Sequence, residues 1–148
     1  GCPHGCKYCY ASFMKRFTGH KEEWDTFIDV KRCSKSINKK KLEGKTVFLS
    51  SVTDCYNPYE EIYCITQSIS KQLLNVECTV SISTKSSFIL RDVELLKQFR
   101  NISVAMSINT LDESFKNDMD NASSIEACMN TLKVLHETYY FTYKFLLS

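Results

Sequence analysis

The chain has 148 residues, of which 43% are hydrophobic and 24% charged, a composition typical of one globular domain and unlike that of a disordered tail. No stretch approaches the roughly 18 apolar residues of a membrane span, and no secretory signal stands at the N-terminus, so we expect a reducing, cytoplasmic location. The net charge of +2 is too small to indicate a nucleic-acid-binding protein by itself.

The first ten residues, Gly-Cys-Pro-His-Gly-Cys-Lys-Tyr-Cys-Tyr, contain three of the eight cysteines, and we call residues 1–10 the cysteine loop. Cys2, Cys6 and Cys9 follow the spacing Cys-x3-Cys-x2-Cys. Gly5 allows the sharp turn that converging sulfurs need. Such a loop can ligate three irons of a four-iron cluster and leave the fourth iron open to a small molecule. Since a metal centre closed by four protein ligands is usually structural, the open position indicates a chemical role.

The remaining cysteines stand singly in periodic segments, at Cys33, Cys55, Cys64, Cys78 and Cys128. We expect Cys64, Cys78 and Cys128 to pack in the core, where a free cysteine behaves as a small hydrophobic residue. An alternative for the cysteine loop is a structural zinc site in a non-enzymatic interaction domain, with His4 or His20 as the fourth ligand. That alternative lacks the second pair of closely spaced ligands that zinc sites usually have.

After the cysteine loop, strand-like and helix-like segments alternate along the chain. The apolar runs predict four strands, at Thr46–Ser50, Cys78–Thr84, Ile102–Ile108 and Phe141–Leu147. Strands that alternate with helices pair in parallel through right-handed crossovers, so this order predicts an α/β fold.

Three helices are predicted between these strands. The first begins at Asn57, with Pro58 in the first helical position and Glu60 completing a capping box. The second follows Asp92, and the third opens at Ser123. We expect an apolar stripe of each helix to face the core, namely Ile62, Ile65, Ile69 and Leu73, then Val93, Leu96 and Phe99, and finally Ile125, Met129, Leu132 and Leu135.

The second and third predicted strands carry apolar residues on one face and small or polar residues on the other. The polar face comprises Ser81, Ser83 and Lys85, followed by Ser103, Ala105, Ser107 and Asn109. A strand buried on both faces would be apolar on both. The pattern therefore predicts the inside of a partial barrel that holds a ligand near the strand C-termini. A sheet with one solvated face is the alternative.

The cysteine loop with Ala11 resembles the cluster loop of radical S-adenosylmethionine (radical SAM) enzymes, whose signature is CxxxCxφC with an aromatic φ, here Tyr8. More narrowly, it resembles the branch related to spore photolyase, often described as DNA repair photolyase-like. Further segments resemble that branch in the same order, at Met14–His20, Phe27–Lys31, Phe48–Asp54, Thr84–Ser86, Leu90–Asp92 and Ser107–Asp112.

The resemblance implies a partial (β/α)6 TIM-type barrel of parallel strands. Residues 1–148 would form an incomplete core domain, truncated at both ends, in which about four strand–helix units follow the cysteine loop. The resemblance also implies that Cys2, Cys6 and Cys9 ligate a 4Fe–4S cluster whose open iron is chelated by S-adenosylmethionine. One electron would cleave this cofactor to methionine and a 5′-deoxyadenosyl radical, which abstracts hydrogen from the substrate.

The same resemblance implies roles for five further side chains. Thr53 and Lys85 would hold the cofactor carboxylate. Ser107 would lie near the ribose, and Tyr8 would pack beside the adenine. Tyr10 aligns with a tyrosine of the radical relay in spore photolyase, which makes it a candidate catalytic residue. Independently of the resemblance, Lys85 ends a strand on its polar face, where an ammonium suits a carboxylate partner.

The chain departs from spore photolyase beside these positions. Ser51 aligns with the hydrogen-donating cysteine of that enzyme, and a serine O–H bond is too strong for the same role. Cys55 lies four residues further along the chain. We therefore do not expect thymine-dimer repair of the spore type. Asp54, between them, is expected only to shape a turn.

The resemblance further implies a lyase-like enzyme that takes its electron from a donor such as flavodoxin or ferredoxin. The substrate stays open between damaged nucleic acid and an unrelated small molecule or peptide. Lys39–Lys41, with Lys15 and Arg16, could contact the phosphates of a nucleic acid, although a charge cluster of this kind is more often a solvated surface.

Overall fold

The computed structural model describes residues 1–32, 36–138 and 142–143. The strands are β1 (Thr46–Leu49), β2 (Thr79–Thr84), β3 (Ile102–Met106) and β4 (Thr142–Tyr143). The helices are α1 (Lys39–Leu42), α2 (Glu60–Tyr63), α3 (Ile65–Leu73), α4 (Val93–Leu96), α5 (Glu113–Met119) and α6 (Ile125–Thr138). Segments of 3₁₀ helix span Tyr10–Phe17 and Ser87–Asp92. This order confirms the α/β class.

The strands form one parallel sheet in the order β1-β2-β3-β4. Val47 of β1 lies opposite Val80 of β2, and Ile82 of β2 lies opposite Val104 of β3. Parallel neighbours need crossover connections, and here the crossovers contain the helices. Every strand consequently ends at the same edge, which we call the C-terminal edge of the sheet.

One face of the sheet carries the hydrophobic core. The side chains at its centre are almost fully buried, namely Val80, Ile82, Val104 and Met106 from the strands with Leu73, Leu96 and Leu135 from α3, α4 and α6. Val93 and Phe99 pack against this cluster, as predicted for the second helix. The apolar faces predicted for the second and third strands are therefore confirmed.

The opposite face of the sheet is more open. Phe48 of β1 is 64% exposed and stands in register with Ser81, which pairs in turn with Ser103. This face has the small polar character that the sequence predicts for a barrel interior. Closure of the sheet into a partial (β/α)6 barrel stays a prediction.

The first helix was predicted wrongly in its start and its continuity. The side chain of Asn57 accepts a hydrogen bond from the backbone N–H of Tyr59 at 3.0 Å and so shapes a turn, and α2 begins only at Glu60. Cys64 adopts a left-handed backbone conformation, with φ of 48°, and separates α2 from α3. Because this break changes the helical phase, Ile62 falls outside the apolar stripe and is 71% exposed.

Glu60 caps α3 instead of completing a capping box for its own helix. Its carboxylate accepts hydrogen bonds from the backbone N–H groups of Thr66 at 2.9 Å and Gln67 at 3.1 Å. The N-terminal N–H groups of a helix have no partner within the helix, so a buried carboxylate suits this position. Arg91 donates to the same carboxylate at 2.9 Å and neutralises its charge.

The prediction for Met129 is also wrong, because this side chain is 44% exposed. The buried stripe of α6 is centred on Cys128 and Leu135, which leaves Met129 at its margin. Of the other cysteines, Cys78 is buried as predicted, whereas Cys64 is half-buried at the helix break.

Part of the fourth predicted strand lies outside the described residues. Within Phe141–Leu147, Thr142 and Tyr143 pair in parallel with β3, and the remainder falls outside, as does Cys33. Helices α1 and α5 were not predicted. In the described part of the chain, no helix combines the length and the apolar character needed to cross a membrane.

Candidate functional site

The cysteine loop lies over the C-terminal edge of the sheet. Thr53, in the connection after β1, donates from Oγ1 to the carbonyl oxygen of Gly1 at 3.3 Å. His4 is buried, and its Nε2 lies 3.1 Å from Oδ2 of Asp54. These contacts join the first half of the loop to the end of β1.

Asp54 connects the cysteine loop to two strands. Besides its contact with His4, it accepts hydrogen bonds from Thr84 Oγ1 and the backbone N–H of Lys85, each at 2.7 Å, and from the N–H of Tyr56 at 2.8 Å. Burial alone would raise the pKa of Asp54, but these donors hold that pKa below its usual range. The expectation of a simple turn residue is therefore too narrow.

The three cysteines of the loop are free thiols, with Cys2 buried and Cys6 and Cys9 half-buried. Burial raises the pKa of Cys2, against the opposing effect of nearby backbone N–H groups. Burial and the charge of Asp120 raise the pKa of Cys6 to about 11, and the nearby ammonium of Lys85 opposes the shift. A metal that binds these sulfurs must displace their protons.

Lys85 points across the edge of the sheet towards the end of β3. Its Nζ lies 3.1 Å from Oδ1 of Asn109 and 3.5 Å from the carbonyl oxygen of Ser107. The same ammonium lies 3.7 Å from Oδ2 of Asp120 and 5.2 Å from the ring centroid of Tyr8. The structure thus brings together Tyr8, Lys85 and Ser107, three of the side chains singled out from the sequence.

Asp120 is the carboxylate at the centre of this group. It is 7% exposed and accepts hydrogen bonds from the hydroxyl of Tyr8 at 2.9 Å and the backbone N–H of Ala122 at 3.1 Å. Nζ of Lys116 lies 3.4 Å away on the other side. Burial would raise the pKa of Asp120, but these donors and the two ammonium groups keep it below its usual range.

Residues 119–121, which we call the strap, bind the second half of the cysteine loop. The backbone N–H of Lys7 donates to the carbonyl oxygen of Met119 at 2.9 Å, and the N–H of Asn121 donates to the carbonyl oxygen of His4 at 2.7 Å. Gly5 has φ of 57°, and a Cβ there would stand 3.1 Å from Nδ2 of Asn121. The loop therefore needs glycine both for its backbone conformation and for the close approach of the strap.

A cavity of about 450 Å³ opens beside this group of side chains. Its polar wall comprises Tyr8, Lys85, Ser107, Asn109, Lys116 and Asp120. Its apolar wall includes Phe115 and Met119 of α5 and Ile125 of α6. A pocket with an apolar body and a few converging polar groups is the usual form of a small-molecule site.

Tyr10 lies apart from this cavity, on the β1 side of the loop. Its ring is 73% exposed, and its hydroxyl donates to the carbonyl oxygen of Ser51. Two positions that the resemblance connects with radical relay are therefore in contact. Cys55 is buried in the core cluster.

The histidines of the zinc alternative have other partners. Nε2 of His4 faces Asp54, as described above, while Nδ1 is buried and has no hydrogen-bond partner among the described residues. The imidazole of His20 lies 2.9 Å from Asp29 and 3.3 Å from Glu22 and stacks on the ring of Phe27. Among the described residues, no group of three or more histidine, cysteine or acidic side chains is arranged to hold a single metal ion.

A family model described as the radical SAM superfamily matches residues 1–146. The chain belongs to this superfamily. Membership implies radical chemistry with S-adenosylmethionine, and members typically bind a 4Fe–4S cluster. The match identifies the superfamily and no branch within it, so the relation to photolyases stays a proposal.

Proteins similar to this chain include several uncharacterized ones. The protein MJ0683 of Methanocaldococcus jannaschii is 36% identical over 148 residues, which are 99% of this chain and 56% of that protein. The protein ORF301 of Acidianus two-tailed virus is 30% identical over 127 residues, which are 78% of this chain and 42% of that protein. The chain thus spans about half the length of the curated relatives it matches. No solved structure matches.

Two residues at this site were not predicted from the sequence. Asp120 was placed in a polar connection, and Asp54 was treated as a turn residue. Both act over long separations, since Asp120 meets Tyr8 and Asp54 meets Lys85. For Asp54 the available signal was an acidic residue shortly after a strand, at the edge where parallel sheets gather their sites, whereas Asp120 follows α5 and carries no such signal.

Proposed function

We propose that this chain is the core of a radical SAM enzyme in which Cys2, Cys6 and Cys9 ligate a 4Fe–4S cluster. The observation that carries the proposal is the position of the cysteine loop, over the C-terminal edge of a parallel sheet and against the cavity lined by Lys85 and Ser107. Ligand and cofactor sites of parallel α/β folds gather at this edge.

The donor set fits the cluster. Three free thiols on one loop suit three irons, because each sulfur of such a cluster ligates a different iron and the three need not converge on a single ion. His4, the remaining metal-binding side chain of the loop, is held by Asp54. When bound, the cluster and S-adenosylmethionine supply a carbon-centred radical that can abstract hydrogen from an unreactive carbon.

The side chains around the cavity suit the polar groups of the cofactor. Lys85 provides an ammonium for its carboxylate, and Ser107 provides a hydroxyl for its ribose. Thr53, the second contact that the resemblance implies for the carboxylate, does not line this cavity, and its hydroxyl donates to the carbonyl oxygen of Gly1. Tyr8 provides an aromatic face beside its adenine. Tyr10 stays the candidate for a radical relay by the resemblance alone, since its hydroxyl contacts the backbone carbonyl of Ser51 and the serine side chain cannot donate the hydrogen atom.

Metal analysis after anaerobic reconstitution with iron and sulfide tests the cluster assignment. We expect the wild-type protein to bind iron and sulfide in equal amounts and to show the broad visible absorbance of an iron–sulfur cluster. Cys6→Ala should abolish both. Cys78→Ala, the same change at a buried cysteine at the opposite end of β2 from Lys85, should leave both intact. Equal iron in wild type and Cys6→Ala, or zinc in place of iron, would remove the assignment.

The finer proposal is a nucleic-acid substrate, within a lyase-like branch related to photolyases and supplied with electrons by a flavodoxin or ferredoxin. It rests on the resemblance and on the surface beside the loop, where the guanidinium of Arg16 lies 5.3 and 4.6 Å from the ring centroids of Phe13 and Phe17. Both rings are more than half exposed. Exposed aromatic and cationic groups together are typical of surfaces that bind unpaired bases.

Binding of a fluorescent single-stranded DNA distinguishes the contribution of this surface from that of the other basic residues. α1, which contains Lys39–Lys41, leads into the N-terminal end of β1, away from the cysteine loop. We expect Arg16→Gln to weaken DNA binding and to flatten its salt dependence, and Lys40→Gln to leave both near the wild-type values. Equal effects of the two variants would indicate non-specific charge attraction and contradict the proposed surface.

A further inference from the structure

Asp120 is a buried carboxylate to which the resemblance assigns no role. It stands between two ammonium groups, 3.7 Å from Nζ of Lys85 and 3.4 Å from Nζ of Lys116, and both lysine side chains are less than one-fifth exposed. Asp120 is therefore shared between two buried cations. The ammonium of Lys85 can pair with a second carboxylate beside the cavity.

The strap that carries Asp120 also binds the cysteine loop at three points. Two of these are the backbone hydrogen bonds to Lys7 and His4, and the third is the hydroxyl of Tyr8 on Asp120 itself. The residues that contact the strap therefore lie between Cys2 and Cys9. Any shift of Asp120 moves the loop relative to Lys85.

We propose that Asp120 is a positioning residue, whose carboxylate holds the ammonium of Lys85 and the ring of Tyr8 in the arrangement that receives the carboxylate of the cofactor. The inference deepens the proposed function and rests on it. Lys85 also has neutral acceptors, in Asn109 and the carbonyl oxygen of Ser107. Without Asp120, however, Lys85 and Lys116 would repel each other, and Tyr8 would lose its hydrogen-bond partner.

A double-mutant cycle with Lys85 tests this role. In the anaerobically reconstituted protein, Asp120→Asn should keep its iron and weaken S-adenosylmethionine binding about tenfold, as expected for a hydrogen-bonded buried charge. In a Lys85→Met background, the same change should weaken binding clearly less, because only its effect through Tyr8 remains. Asp118→Asn, an exposed acid of the same helix that pairs with Lys7, should leave the Kd unchanged.

The Tyr8→Phe variant tests the same positioning role without changing any charged group. It should weaken cofactor binding in the wild-type background and have no further effect in Asp120→Asn. Wild-type affinity in Asp120→Asn, or the same loss with and without Lys85, would overturn the positioning role and leave the proposed function intact. Failure of the wild-type protein to bind iron and S-adenosylmethionine would overturn the proposed function, and this inference with it.

Discussion

Gly5 of the cysteine loop has little freedom to change. Its positive φ disfavours any side chain, and an added Cβ would also stand 3.1 Å from Oδ2 of Asp25 and from Nδ2 of Asn121 in the strap. The backbone cost of a non-glycine residue in the left-handed region is about 1–2 kcal/mol. The two polar groups that crowd the position add to that cost.

Gly5→Ala is therefore expected to lower the free energy of unfolding by about 1–2 kcal/mol, measured by urea denaturation of the metal-free protein. Gly19→Ala is the matched control for backbone strain, since Gly19 also has positive φ but has no atom within 4 Å of an added Cβ. It should be the milder change, and a larger loss at Gly19 would contradict the packing of the strap against the loop.

The buried carboxylate of Asp92 makes the stability of the fold sensitive to acid. It is buried, with Oδ2 2.7 Å from Arg91 and Oδ1 2.7 Å from the amide nitrogen of Gln67. Burial would raise the pKa of Asp92, but these partners hold it below the usual range. The ionised form therefore contributes stability above the unfolded-state pKa of about 4, and this contribution is lost as the pH falls through the lower folded-state pKa.

We expect the urea concentration at the unfolding midpoint of the wild-type protein to decrease when the pH is lowered from 6 to 3. Asp92→Asn should be less stable at pH 6 and should lose less over the same interval, because one of the titrating groups is absent. Parallel pH dependence in the two proteins would show that Asp92 does not carry this part of the acid sensitivity.

At the scale of elements, the break between α2 and α3 is a local source of strain. Cys64 occupies the left-handed conformation that favours glycine, and its sulfur makes only long contacts, 3.8 Å to the carbonyl oxygen of Glu61 and 3.9 Å to Arg91. Cys64→Gly should therefore exceed Cys64→Ala in stability by about 1 kcal/mol. Urea denaturation under reducing conditions measures the difference, and a more stable alanine variant would contradict the strain.

The elements that the sequence predicts well are those whose signal is local. The alternation of Val80 and Ile82 with Ser81 and Ser83 indicates both the strand and its buried face. The sequence around the break at Cys64 contains no glycine or proline that would indicate the end of a helix. The apolar spacing was therefore extended across the break, and Ile62 was assigned to the core. α5 and the strap were missed because their partners, Lys7 and Tyr8, lie more than a hundred residues away.

At the scale of the whole molecule, the topology of the sheet determines where the cysteine loop is attached. Parallel strands bring the residues after β1, β2 and β3 to one edge, and Asp54 and Asp120 then tie the cysteine loop across that edge. The spacing of the cysteines predicted the loop. Its attachment could not be predicted, because it depends on buried carboxylates that meet the loop only in the folded chain.

The central claim is that Cys2, Cys6 and Cys9 hold a cluster that acts on S-adenosylmethionine. The most direct measurement is the amount of 5′-deoxyadenosine formed by the reconstituted protein under strong reduction. We predict its formation by the wild-type protein and by Cys78→Ala, and its loss in Cys6→Ala. Undiminished 5′-deoxyadenosine from Cys6→Ala, or none from a wild-type protein that has bound its full iron, would contradict the claim.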